Sequence, residues 1–224
     1  MKIFHRVLHI GSLFGLISAL CCLPFTVHAK DNGKDKQGIG YKVEIDYPVF
    51  EKEPLLNAHV KDVAQKSLKA FNDVFFSAGA PAYPQTFELD IDSSSVYEDA
   101  HHISFLLNIY QFTGGAHGST TLIPITYSKQ TKKSLSLEEA VQPAKKDWLN
   151  ALSIEARKQL KAQVQKQTFA SDEDWINQGT EPVKENFAVF TLEKNSVRII
   201  FNQYQVGPYS SGMPEIVVPR TLFK

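Results

Sequence analysis

Apolar and polar residues alternate at Tyr41, Val43, Ile45 and Tyr47, the period-two pattern of a half-buried strand, which Pro48 closes. Pro54 then opens a run in which Leu56, Val60, Val63, Leu68, Phe71, Val74 and Phe75 recur at helical spacing, out to Gly79 and Pro81. Proline suits a first helical turn because the N–H it lacks has no partner there, so the run predicts an amphipathic helix with one face on a core. Phe87, Leu89 and Ile91 alternate with Glu88, Asp90 and Asp92, a strand with an acidic outer face that Ser93 to Ser95 interrupt or bulge. Glu98 to His101 is the expected turn. Ile103, Phe105, Leu107 and Ile109 share one face of the next strand, while Leu106, Tyr110 and Phe112 share the other, so it should be covered on both sides.

A glycine-rich turn, Thr113-Gly114-Gly115-Ala116-His117-Gly118, leads into a further alternating run at Thr121, Ile123, Ile125 and Tyr127. Ser136-Leu137-Glu138-Glu139 fits a capping box, in which serine and glutamate satisfy free helix N–H groups reciprocally. The short helix it starts ends at Pro143. Asp147 is a suitable cap for a longer helix with Leu149, Leu152, Ala156, Leu160 and Val164 inward. Thr168 to Val183 reads as acidic and irregular, with Trp175 its one buried residue. Phe187 to Leu192 and Val197 to Phe201 form a hairpin, Asn202 to Pro214 a tyrosine- and glycine-rich loop, and Ile216 to Val218 a last strand. No fixed-period repeat is visible. This order predicts an α+β fold, a mostly antiparallel sheet with amphipathic helices packed on it.

The N-terminus changes the compartment. Lys2 and Arg6 precede a mostly apolar run from Val7 to Val27, and Val27-His28-Ala29 offers small residues where a signal peptidase reads them. Residues 1–29 are therefore expected to be a signal peptide, with an uncleaved anchor or lipidation at Cys21 or Cys22 as the alternatives. An exported, periplasmic or extracytoplasmic location follows. Residues 30–39 read as a flexible linker, residues 40–115 as an N-terminal α+β subdomain and residues 116–224 as a C-terminal one. Both cysteines fall in the leader, so the mature chain has no disulfide and depends on core burial. Its 22 basic and 24 acidic residues give no basic field, and no nucleic acid partner is expected. Membrane contact is expected only through the N-terminal segment, if that is retained.

Candidate chemistry is sparse. Histidines of the mature chain are His59, His101, His102 and His117, with no His-Glu-x-x-His and no cysteine pair. A metal site would need His101 or His102 to join His117 and an acidic residue in space; no metal and no cofactor is expected. There is no Gly-x-Ser-x-Gly elbow and no Walker loop, so no catalytic residue is assigned. Asp90/Asp92 and Glu98/Asp99 serve most simply for solubility and edge protection. Gly114, Gly115, Gly118 and Gly212 are read as structural, permitting tight connections. His117 has three open roles: pinning the loop, contacting a ligand, or acting as a base. Tyr204 and Tyr209 are the other expected ligand contacts, since tyrosine gives large contact area at low entropic cost.

Three stretches, taken together, carry a resemblance. They are Tyr110 to Gly118 (YQFTGGAHG) with Thr126-Tyr127 and Leu135 to Glu138, then Phe187 to Phe201, then Asn202 to Gly212 (NQYQVGPYSSG) with Val217-Val218-Pro219. They resemble the extracytoplasmic domain of the RsiV anti-sigma factor family, also found as a non-catalytic part of peptidoglycan deacetylases of the PdaC type. Asp46 to Phe50 and Leu55 to Asn57 resemble that family's preceding subdomain. The resemblance implies an α+β domain outside the cytoplasmic membrane, and in RsiV that domain recognises lysozyme. Only Met1 to Arg6 precede the apolar run, and no deacetylase domain is recognisable, so neither anti-sigma activity nor deacetylation is expected. The expected function is recognition of lysozyme or peptidoglycan fragments without catalysis. A hydrolase of envelope polymers using His117, and a structural envelope factor, are the alternatives.

Overall fold

The computed structural model describes residues 25–34, 39–79 and 83–224. The chain begins with β1 (Phe25–Lys34) and β2 (Ile39–Val49), followed by α1 (Pro54–Ser77). Next come β3 (Gln85–Glu98), β4 (His102–Phe112), β5 (Ser119–Ser128) and the two-residue β6 (Lys133–Ser134). These six strands form one sheet in sequence order. Only β2 and β3 pair in parallel, because α1 carries the chain back to the same end of the sheet. Lys30 to Lys34 lie in β1 opposite Gly40 to Glu44 rather than in a free spacer. The rest of the expected signal peptide before Phe25, and residues 35–38 of the expected linker, lie outside the described residues.

The second half contains α2 (Leu137–Val141), α3 (Trp148–Gln165) and α4 (Glu173–Gly179). Strands β7 (Phe190–Leu192), β8 (Ser196–Ile200) and β9 (Glu215–Pro219) make a separate antiparallel sheet. The fold is α+β, as the periodicity predicts. The six-stranded sheet runs on to Ser134, so a division after residue 115 passes through the β4–β5 hairpin.

Burial follows the two periodicities. Leu56, Val60, Phe71 and Phe75 of α1 meet Val43, Ile45, Phe87, Leu89, Ile91, Phe105 and Leu107 on one face of the large sheet. Leu152, Ala156 and Leu160 of α3 meet Phe190, Leu192, Val197, Ile199, Ile216 and Val218 of the small one, with Phe187, Phe201 and Phe223 buried in the same core. The other face of β4 and β5 carries Leu106 and Leu122, which Val189 and Ile200 cover. There the buried Ser104 hydroxyl bonds Thr126 Oγ1 (2.8 Å) and accepts the Leu192 N–H (2.8 Å), joining the halves.

Several local expectations change. The capping box at Ser136 and Glu139 forms, but the Asp147 side chain makes no backbone cap and accepts from the Asn150 amide instead. Residues 173–179, expected to be irregular, are helical because the Asp172 carboxylate accepts the Trp175 N–H. Ile176 and Gly179 are the residues that α4 buries, and Trp175 stays half-exposed. β3 continues through the serines with a register shift between Ser94 and Tyr97. The outer edge of β9 is closed by α3: the Gln159 amide donates to the Val217 carbonyl (2.9 Å) and accepts its N–H (3.2 Å).

Candidate functional site

The β4–β5 turn and the loop between β8 and β9 meet at one end of the molecule. Gly114 and Gly115 take φ of +101° and +95°, which lets six residues connect the two central strands without side-chain clash. Gly118 is close-packed for a different reason. A Cβ there would lie 2.4 Å from the Tyr110 ring, so any side chain would oblige that ring to move from its place under the loop. The Gly118 carbonyl then accepts the Tyr209 hydroxyl at 2.9 Å, across 91 positions of sequence. His117 Nδ1 lies 2.9 Å from the same oxygen, a hydrogen bond in the Nδ1–H tautomer.

The imidazole stacks on Tyr209 with ring centroids 3.9 Å apart and 26° between planes, and Tyr204 follows 5.8 Å beyond Tyr209. The three residues singled out from the sequence therefore form one row of rings. His117 and Tyr204 are exposed, while Tyr209 is half-buried between them. Trp175 Nε1 donates to the Tyr204 carbonyl at 2.8 Å, bringing to the site an aromatic expected from the sequence to be buried. Ser211 and Ser171 hydroxyls tie the second loop to the α3–α4 connection, bonding the Ala170 carbonyl (2.6 Å) and the Val206 carbonyl (2.5 Å). Gly212 (φ +67°) follows the single 3₁₀ turn at Tyr209–Ser211. A shallow groove of about 360 Å³ opens beside the first loop, between Val63, Lys66 and Ser67 of α1 and Gln111, Ser119 and Thr121 of the sheet.

The remaining histidines do not join this site. His101 and His102 sit at the opposite end of β4 from His117, and eleven strand residues span roughly 33 Å. A metal site shared with His117 is thereby ruled out. Asp99 organises that far turn, accepting the N–H groups of His101 and His102 (2.7 Å each) and the Tyr97 hydroxyl (3.0 Å). Burial raises the Asp99 pKa, but these hydrogen bonds outweigh it and hold the carboxyl below its usual range. Among the described residues, no group of three or more histidines and carboxylates is placed to hold a metal ion. No helix of those residues is long and apolar enough to cross a membrane.

Residues 36–120 match the family model described as Deacetylase PdaC, and residues 141–221 match Protein of unknown function (DUF3298). The peptidoglycan-N-acetylmuramic acid deacetylase PdaC of Bacillus subtilis is 27% identical over 187 residues, covering 84% of this chain. The aligned part spans only 39% of that deacetylase. The immunogenic protein MPB64 of Mycobacterium bovis is 26% identical, with 93% of this chain and 95% of that protein covered. The fold is shared with the crystal structure of a DUF3298 family protein from Pseudomonas aeruginosa (TM-score 0.62, 24% identity, 89% and 92% of the chains). A Bacteroides fragilis member is similar (TM-score 0.61, 17% identity, 88% and 90%). In chain order, then, the molecule is similar first to the PdaC region and then to DUF3298, two envelope-related domain families.

Proposed function

We propose that this chain is an exported, non-catalytic recognition domain of the cell envelope, with its binding surface on the paired loops 113–118 and 202–212. The observation that carries this reading is the row His117–Tyr209–Tyr204, built from both halves and held by the Gly118 carbonyl. Rings fixed in this way present contact area with little entropy left to lose on binding. Similarity to a peptidoglycan deacetylase over a part of that enzyme supports an envelope ligand. Peptidoglycan fragments are one such ligand, and lysozyme, suggested by the RsiV resemblance, is the other.

A hydrolase centred on His117 is less well supported. Its Nδ1–H bond to the Gly118 carbonyl would leave Nε2 available as a base, but neither loop carries an Asp, Glu, Lys or Arg to act with it. The purified protein added to a lysozyme assay on isolated cell walls separates the readings. Retention on the walls, or dose-dependent inhibition with a stable complex, is the expected result. Wall hydrolysis by the protein alone, lost in His117→Ala with the fold intact, would overturn it.

A further inference from the structure

Tyr204 occupies a backbone position at odds with its residue type. Gln205 N–H closes a turn onto the Asn202 carbonyl (3.0 Å), and Tyr204, its third residue, has φ +66°. Glycine or asparagine usually takes that place, since a Cβ is disfavoured at positive φ. The strain is not offset by burial, because the residue is 55% exposed. Its carbonyl is fixed by Trp175 and its ring lies beside Tyr209. A bulky residue kept in a strained, exposed turn marks a position chosen for its side chain, and strain of this kind gathers at ligand sites.

The surroundings define the ligand. From Thr113 to Ser119 and from Asn202 to Pro214 there is no Asp, Glu, Lys or Arg, in a chain that is 21% charged. At the adjoining N-terminus of α4, the Asp172 carboxylate is engaged by the Trp175 N–H and Glu173 by Lys161. The loops offer aromatic faces with serine, asparagine and glutamine groups, and no charge to recognise an ionic partner. Such a surface suits a ring with weakly positive C–H groups on one face and hydroxyl or amide groups around its edge. The aromatic quadrupole attracts the first, and neutral side chains bond the second.

We infer that Tyr204, backed by Tyr209 and His117, is a stacking platform for an uncharged pyranose ring of an N-acetylated glycan. This rests on the recognition reading above and names its ligand class. Tyr204 supplies the exposed face, while Tyr209 and His117 are positioning residues. Trp175, bonded to the Tyr204 carbonyl, reports occupancy by its fluorescence, since Trp148, the other tryptophan, is buried in the α3 core.

Titration of the purified protein with N-acetylglucosamine oligosaccharides, read by tryptophan emission, tests the assignment. The wild type should show a saturable change that is nearly the same at low and high salt, because no ion pair is formed. Tyr204→Phe should keep the affinity within about twofold. Tyr204→Gly should weaken binding at least about tenfold, the scale of one lost ring contact, with Tm unchanged or raised because glycine relieves the turn. Equal binding by Tyr204→Gly, or no saturable change in the wild type, would overturn the inference. If intact walls, stem peptides or lysozyme bind while the oligosaccharides do not, the glycan assignment fails and the recognition reading stands. If nothing binds, both fail.

Discussion

Lys132 sits at φ +58° in the turn after β5, and its ammonium reaches 79 residues back to both oxygens of Glu53 (2.9 and 2.8 Å). Glu53 is only 5% exposed, next to the first turn of α1. The Tyr127 hydroxyl nearby has its pKa raised by burial and then by the Glu53 charge. Removing one partner of a buried pair leaves a charge without compensation. Because the lysine itself is half-exposed, Lys132→Met should cost about 2 kcal/mol, less than a fully enclosed pair; a urea midpoint indistinguishable from wild type would contradict this. No local pattern marks either residue, because their contact spans 79 positions and is made by packing. Gly118 is similar: the glycine is visible, but its reason is a Tyr110 ring eight positions back that only strand pairing brings beneath it.

At the scale of elements, the acidic face of β3 was legible from alternation, but its neighbours were not. The parallel register sets Glu44 of β2 opposite Asp90, and Glu88 and Asp92 flank the same row. Burial is the first cause of the raised Asp90 pKa, followed by Asp92 and Glu44, with Lys42 opposing them. A carboxyl with a raised folded pKa takes up a proton on folding, so its contribution is present at low pH and is lost as pH rises through that pKa. Asp90→Asn should therefore stabilise the protein at pH 7 by about 0.5 kcal/mol, the scale of one like-charge cross-strand pair. The gain should vanish near pH 3, where Asp90 is itself protonated. Denaturant midpoints at the two pH values check both halves of the statement. The helix at residues 173–179 was legible in retrospect from Asp172, whose carboxylate is an N-cap preceding two more acids.

For the whole molecule, the junction matters more than either half. Leu106, Leu122, Val189 and Ile200 form the apolar contact between the two sheets, reinforced by Ser104 with Leu192 and by Tyr209 with Gly118. Leu106→Ala should cost about 3 kcal/mol, a typical cavity penalty for a buried leucine. Wild type should melt in a single transition by far-UV dichroism and by tryptophan emission, which follows the C-terminal core through Trp148. Two separated transitions in the wild type would show that the junction does not couple the halves. What the sequence by itself determined was local: α1, the alternating faces of β3, β4 and β5, the capping box, the glycine turn and the α+β class. These depend on periods of two and 3.6 residues and on capping chemistry within four positions. Only the tertiary structure decided the parallel β2–β3 pairing, the second sheet, the separation of His101 and His102 from His117, and the row of rings. Each of these brings together residues tens of positions apart, or holds them apart, through strand register and packing across the whole chain, which no local pattern encodes.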